Sequence, residues 1–254
     1  FPDAAREKDC NNSTPLDNAC KYQPTPEVIS LLVKNHPDAL RIKNNEGMTP
    51  LHSVCAYNAS TDLVSLLLKC WPAAAREKDS NGLTPLHVSC EYEAPFEVVS
   101  LLMDEHPAAA KEKDKHGTTP LQSACWNNAS EDVLKLLLEE HPSAVKANDI
   151  FMGSLQDYDF EDDKAAKLVL SVYRLYCDKI DNEIAEEIMN YFIDIEWWGG
   201  AMLVVDAYPT ISNILDIHDK HMPYLFSKAK RHGKLSTLWQ LAMNRQDLLG
   251  PFGP

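Results

Sequence analysis

The sequence predicts an all-α solenoid of stacked helix-turn-helix layers, joined by turns and hairpins. Two observations carry that prediction. Nearly the same string occurs four times at a spacing of 35 residues: NNSTPLDNAC (11–20), EGMTPLHSVC (46–55), NGLTPLHVSC (81–90) and HGTTPLQSAC (116–125). A second marker keeps step with it, as His36-Pro37, Trp71-Pro72, His106-Pro107 and His141-Pro142. Two markers in fixed phase define a structural repeat. One such unit cannot bury its own apolar faces, and stacking the units does so.

Residues 79–113 give the elements of one unit in order. Asp79-Ser80-Asn81-Gly82 is turn chemistry, with Gly82 free to take positive φ. Thr84 suits a helix N-cap and Pro85 the first helical position, where its missing N–H costs nothing. Leu86, Ser89 and Cys90 then fall at i, i+3 and i+4 on one inward face. The turn EYEAP ends this short helix. A longer helix follows through EVVSLLMDEH, with Val98, Val99, Leu101, Leu102 and Met103 as its apolar side. His106-Pro107 stops it, because Pro cannot continue a helix and biases the residue before it towards extended geometry. Ala108-Ala109-Ala110 is expected to run extended to the next turn at Asp114. Asn58-Ala59-Ser60 and Asn128-Ala129-Ser130 fit a glycosylation sequon, but read as turn residues followed by a helix cap.

This unit, turn–TPLH–helix–turn–VVxLLL, resembles the ankyrin repeat over residues 1–149. The resemblance implies inner and outer helices, a concave groove that contacts protein partners, and a TPLH histidine that hydrogen-bonds neighbouring backbone and stiffens its layer. That histidine stands at His52 and His87, with Asp17 and Gln122 in the first and fourth repeats, so these two layers are expected to be less rigid. The period is 35 where the family has 33. The extra residues fall in the inter-helix turn and at the His-Pro stop, both of them connections.

Residues 150–254 are expected to form a divergent helical region, as degenerate repeats plus a C-terminal cap. Asp149–Leu155 resembles a turn and helix start without Thr-Pro, and an acidic stretch runs from Asp157 to Asp163. Helical periodicity covers 164–178, 183–193, 221–233 and 235–249. AMLVVDAYPTI (201–211) resembles an outer helix with Pro209 in the stop position.

Composition narrows the function classes. The net charge is −14, with 14 Lys/Arg against 22 Asp/Glu in residues 1–150 and 10 against 16 in 151–254. Neither half offers the basic footprint that a phosphate backbone or anionic membrane needs, so neither is expected as a partner. The longest charge-free apolar run, WWGGAMLVV (197–205), is shorter than the ~20 residues that span a bilayer. Four of seven cysteines, Cys20, Cys55, Cys90 and Cys125, share one repeat position. They read as buried small hydrophobes in a reducing compartment, which favours an intracellular, cytoplasmic protein. The opening FPDAAREKD matches the end of a repeat (WPAAAREKD, 71–79), as a piece of a longer chain would.

Candidate chemistry is sparse. His218 and His221, with Asp216 and Asp219, have helical spacing for metal, but no second ligand pair accompanies them and a polar helix end explains them better. Cys177 beside Asp178 lacks a partner arrangement. His36, His106 and His141 precede a stop proline and are expected to be exposed. No phosphate loop, G-x-S-x-G or H-E-x-x-H occurs, so neither enzyme activity nor a cofactor is expected. The candidate partner-binding residues are Tyr22, Tyr57, Tyr92, Trp126 and Asn127 near the ends of the short helices, and Glu46, Asn81 and His116 at the hairpin tips. The tyrosines suit recognition, because aromatics bury much area at low entropy cost, yet identical residues in successive layers also suit stacking. The favoured function is a non-catalytic scaffold, monomeric, that binds a protein partner through the groove and tips. The alternative is the targeting arm of a larger enzyme of kinase or ubiquitin ligase type.

Overall fold

A computed structural model describes residues 4, 6–22, 24–57, 60–146 and 164–209. The chain divides into two compact units, Phe1–Ala147 and Asn148–Pro254. Among the described residues all regular structure is helical.

The first unit is four layers of paired helices. The short inner helices are α1 (Pro15–Lys21), α3 (Pro50–Ala56), α5 (Pro85–Glu91) and α7 (Pro120–Trp126). The outer helices are α2 (Pro26–Asn35), α4 (Thr61–Cys70), α6 (Phe96–Glu105) and α8 (Glu131–Glu140). Each inner helix packs on its neighbours in the next layers and on its own outer helix. Leu51, Leu63, Leu67, Leu86, Leu102 and Leu121 fill the space between them, each at most 2% exposed. Full burial of each contributes roughly 1.5–3 kcal/mol.

Hairpins join the layers, and the sequence dictates their shape. Asp79 Oδ1 accepts from the N–H of Asn81 and of Leu83, both at 2.8 Å. Asp9, Asn44 and Asp114 make the same pair of bonds in their own turns. The chain then passes through positive φ at Gly47, Gly82 and Gly117, and at Asn12 in the first repeat. At Gly47 a Cβ would lie 2.5 Å from Ser80 N, so space as well as φ requires glycine there. The tips are stitched by backbone bonds of 2.9 Å, Asn45 N–H to Asn11 O, Ser80 N–H to Glu46 O and Lys115 N–H to Asn81 O.

Buried histidines lock consecutive layers. His52 Nδ1 accepts from Thr49 N–H at 3.2 Å, so its proton is on Nε2, which donates to Leu83 O of the next layer at 3.1 Å. His87 repeats this between Thr84 N–H (3.3 Å) and Thr118 O (3.1 Å). Gln122 reproduces the cap half, its Oε1 accepting from Thr119 N–H at 2.8 Å. In the first layer Asp17 is bonded instead by Ser53 Oγ of the second layer and faced by the Lys21 ammonium at 3.2 Å. The layers without histidine therefore carry substitute bonds.

Three expectations need correction. Ala108–Ala110 is not extended: after each stop the chain makes a 3-10 turn, at Pro37–Arg41, Pro72–Arg76, Pro107–Lys111 and Pro142–Lys146. Proline pre-sets a helical φ, and the small residues after it pack close, as buried Ala109 and Ala110 do. The stop histidines are half-buried, since His141 Nδ1 meets Ala110 O at 3.1 Å and His106 Nε2 meets Glu112 Oε1 at 3.1 Å. Cys20, Cys55 and Cys90 are buried, but Cys125 is only partly covered. The inner helices of Cys20, Cys55 and Cys90 are each followed by a further packed inner helix, whereas no described repeat layer follows Cys125.

The turns joining α5 to α6 and α7 to α8 close in a left-handed residue. Glu93 and Asn128 both have φ 51°, and Ala94 N–H and Ala129 N–H reach back to Ser89 O (2.8 Å) and Ala124 O (2.9 Å). These are Schellman closures, which usually use glycine. Ser60 and Ser130 then cap the outer helices α4 and α8, as the reading of their sequons as caps expects.

The second unit contains α9 (Lys164–Cys177), α10 (Asn182–Asp194) and α11 (Trp198–Ala207). Asp181 caps α10 by accepting from Ile184 N–H at 3.0 Å. Glu196, at φ 55°, closes α10 with Trp197 N–H bonded to Phe192 O at 2.8 Å. Trp197 meets Phe192 edge-on at 4.7 Å, and a Cβ on Gly200 would lie 2.2 Å from the Trp197 ring. Helix α11 stops at Tyr208 (φ −132°, ψ 75°) before Pro209, matching His106 (φ −143°, ψ 76°) before Pro107. Asp149–Leu155, Asp157–Asp163, the helices expected at 221–233 and 235–249, and Asp216, His218, Asp219 and His221 lie outside the described residues.

Candidate protein-binding surface

Each inner helix ends at a residue that the fold keeps out of the core. Tyr22, Tyr57, Tyr92 and Asn127 are the C-caps of α1, α3, α5 and α7, at φ between −105° and −114°. The half-turned backbone there swings the side chain off the buried face. Tyr22 is 83% exposed, Tyr57 49% and Tyr92 52%, and Trp126, the last residue of α7, is 48% exposed. Asn127 differs. It is half-buried, and its Nδ2 donates to Ser123 O at 2.9 Å, a local helix-end bond.

The expected residues fall into two adjoining groups. Asn81, His116, Trp126 and Asn127 line one hollow of about 490 Å³, together with Leu83, Glu91, Asp114, Thr118 and Ser123. Tyr57, Tyr92 and Glu46 are a second group only in that Tyr57 and Glu46 act by charge on Tyr92. Burial raises the Tyr92 phenol above its ordinary range, and the charges of Glu91, Tyr57 and Glu46 add to that. Glu91 belongs to both groups: burial, then Asp79 and Asp114, holds its carboxyl above the usual value. No described contact ties Tyr22 to either group.

Sequence reasoning passed over Glu91 and Asp114 as site residues. A signal for Glu91 was present, because it occupies in α5 the position that Trp126 occupies in α7. Asp114 was hidden by its turn role, which uses Oδ1.

A family model for ankyrin repeats matches residues 2–76 and 53–149. The chain belongs to the ankyrin repeat family. The match spans more than half of the chain and contains every site residue named above. No curated protein matches the chain. Ankyrin repeats are in general protein–protein interaction modules and are typically non-catalytic. Among the described residues, no helix is long and apolar enough to cross a membrane, and no group of three or more His, Cys, Asp or Glu has metal-site geometry.

Proposed function

We propose that this ankyrin array is a scaffold that binds a protein partner in its concave groove and at its hairpin tips, without catalysing a reaction. The observation that supports it is the exposed aromatic ladder, Tyr22, Tyr57, Tyr92 and Trp126, presented on a framework locked by His52 and His87. Rigid aromatics held half out of the core lose little entropy when a partner covers them. Glu46, Asn81 and His116 would add polar contacts from the tips. A benzophenone amino acid placed at position 92 should give protein adducts in cell extract on irradiation. The same group at Glu105, exposed on outer helix α6, should give few. Equal yields from both positions would remove the groove as the binding face.

The second unit reads as a divergent continuation of the array, with residues 1–149 as the clear repeats. The supporting observation is geometric: α10 and α11 are closed by a left-handed residue and an X-Pro stop of the repeats' own dihedrals. The chemistry differs, with bulky Trp197 packed on Gly200 where the repeats use small turn residues.

A further inference from the structure

The hairpin edge of the groove treats its charges in two ways. Glu77 and Glu112 are neutralised by Lys43 (2.8 Å) and Lys78 (2.7 Å), which also bond carbonyls of the next layer. Glu46, Asp79, Glu91 and Asp114 are reached by none of the described ion pairs. Glu91 and Asp114 line one hollow with the exposed Trp126 ring, Glu91 and Glu46 act by charge on Tyr92, and Asp79 and Asp114 act by charge on Glu91. Burial raises the Glu91 carboxyl first, and repulsion from Asp79 and Asp114 adds to it. Among the tip positions the lysine is Lys115, at the outer end of the stretch.

We infer that the groove takes an extended, arginine- or lysine-rich protein segment, its charges set among Glu46, Asp79, Glu91 and Asp114 and its stems against Tyr57, Tyr92 and Trp126. This rests on the reading of the groove as a protein-binding face. The charge complement decides the occupant. A cation gains charge-assisted hydrogen bonds from the carboxylates and a cation–π contact from the rings, and it relieves the repulsion among the acids. A guanidinium also stacks flat on an aromatic face. An anionic segment would add to the repulsion, and a neutral one would leave it in place. Layers two to four span roughly 20 Å at ~10 Å per layer, so about six or seven extended residues cross them.

The test uses two labelled peptides, (Arg-Gly-Ser)4 and (Glu-Gly-Ser)4, titrated into the whole chain at physiological salt and followed by fluorescence anisotropy. The arginine peptide should bind and the glutamate peptide should not. The double variant Glu46→Gln/Glu91→Gln should bind it about tenfold more weakly and Trp126→Ala several-fold more weakly, whereas Glu105→Gln on the outer helix should be unchanged. The glutamines keep shape at exposed positions, and a melt of each variant checks that it is folded. Equal loss in Glu105→Gln, or equal binding of the two peptides, overturns the inference. Cross-linking from position 92 separates the two readings. Adducts that (Arg-Gly-Ser)4 displaces support a cationic occupant. Adducts that it fails to displace keep the groove as a protein-binding face and overturn the cationic occupant. Absence of adducts overturns both.

Discussion

Two sets of residues recur every 35 positions in the first unit, and the fold sends them to opposite places. Thr49 and Thr84, Leu51 and Leu86, His52 and His87, and Cys55 and Cys90 are each at most 2% exposed. Tyr57 and Tyr92 keep the same period and stand about half exposed, with Tyr22 at 83%. Repetition therefore has two causes here. The buried set repeats because each layer is the floor of the next, so the same cap, the same leucine and the same histidine bridge are needed every time. For the exposed set we propose a different reason, a surface that a partner covers. The outer helices of the same layers differ at an equivalent exposed position of their last turn, as Asn35, Cys70 and Glu105 do, while Glu27, Asp62 and Glu97 stay acidic.

The strongest way to break the comparison acts on the buried histidines through pH. Burial lowers His52 to about 4 from 6.5, against its bond to Leu83, and burial lowers His87 as well. An unfolded chain takes up the proton near pH 6.5 and the folded chain resists it. The stability that this provides is complete above pH 6.5 and is lost as the pH falls towards 4. For His52 the loss between pH 7.5 and 5 is about 2 kcal/mol. Urea unfolding at the two pH values should show it. His52→Gln, which borrows the solution found at Gln122, should reduce the pH difference by about 2 kcal/mol and leave the part that His87 contributes. An unchanged pH difference in the variant would mean that the histidine is not held neutral.

A smaller effect concerns positions that repeat in geometry and not in identity. Glu93, Asn128 and Glu196 all sit in the left-handed region. Glu93→Gly and Glu196→Gly should each stabilise by about 1 kcal/mol, seen as a raised melting temperature. A loss at Glu196 alone would separate the second unit's helix pair from the repeats' closure and weaken its reading as a divergent layer.

The layers were legible in the sequence because their signals are local. Thr-Pro sets a cap and a first turn, and His-Pro sets a stop, whatever surrounds them. The 3-10 turns were not legible, since Ala108-Ala109-Ala110 suits several conformations and burial of Ala109 and Ala110 decides among them. The closures at Glu93 and Glu196 were hidden for the same reason: no glycine marks them, and the left-handed residue is imposed by the helices it joins. Of the site, the exposure of the tyrosines followed from their place past the helix end. The gathering of Asn81, His116 and Trp126 around Glu91 and Asp114 required the superposition of two layers, which no single repeat contains.

The smallest stability effect tests the central claim most directly. Thermal melts of Tyr57→Ala and Tyr92→Ala need no partner. If the ladder is a contact surface, both variants should melt within about 1–2 °C of the parent chain, because little packing is lost from a half-exposed ring. If both lose several degrees, roughly 2–4 °C for each kcal/mol in a unit of this size, the tyrosines are packing residues and the groove loses the observation that supports it.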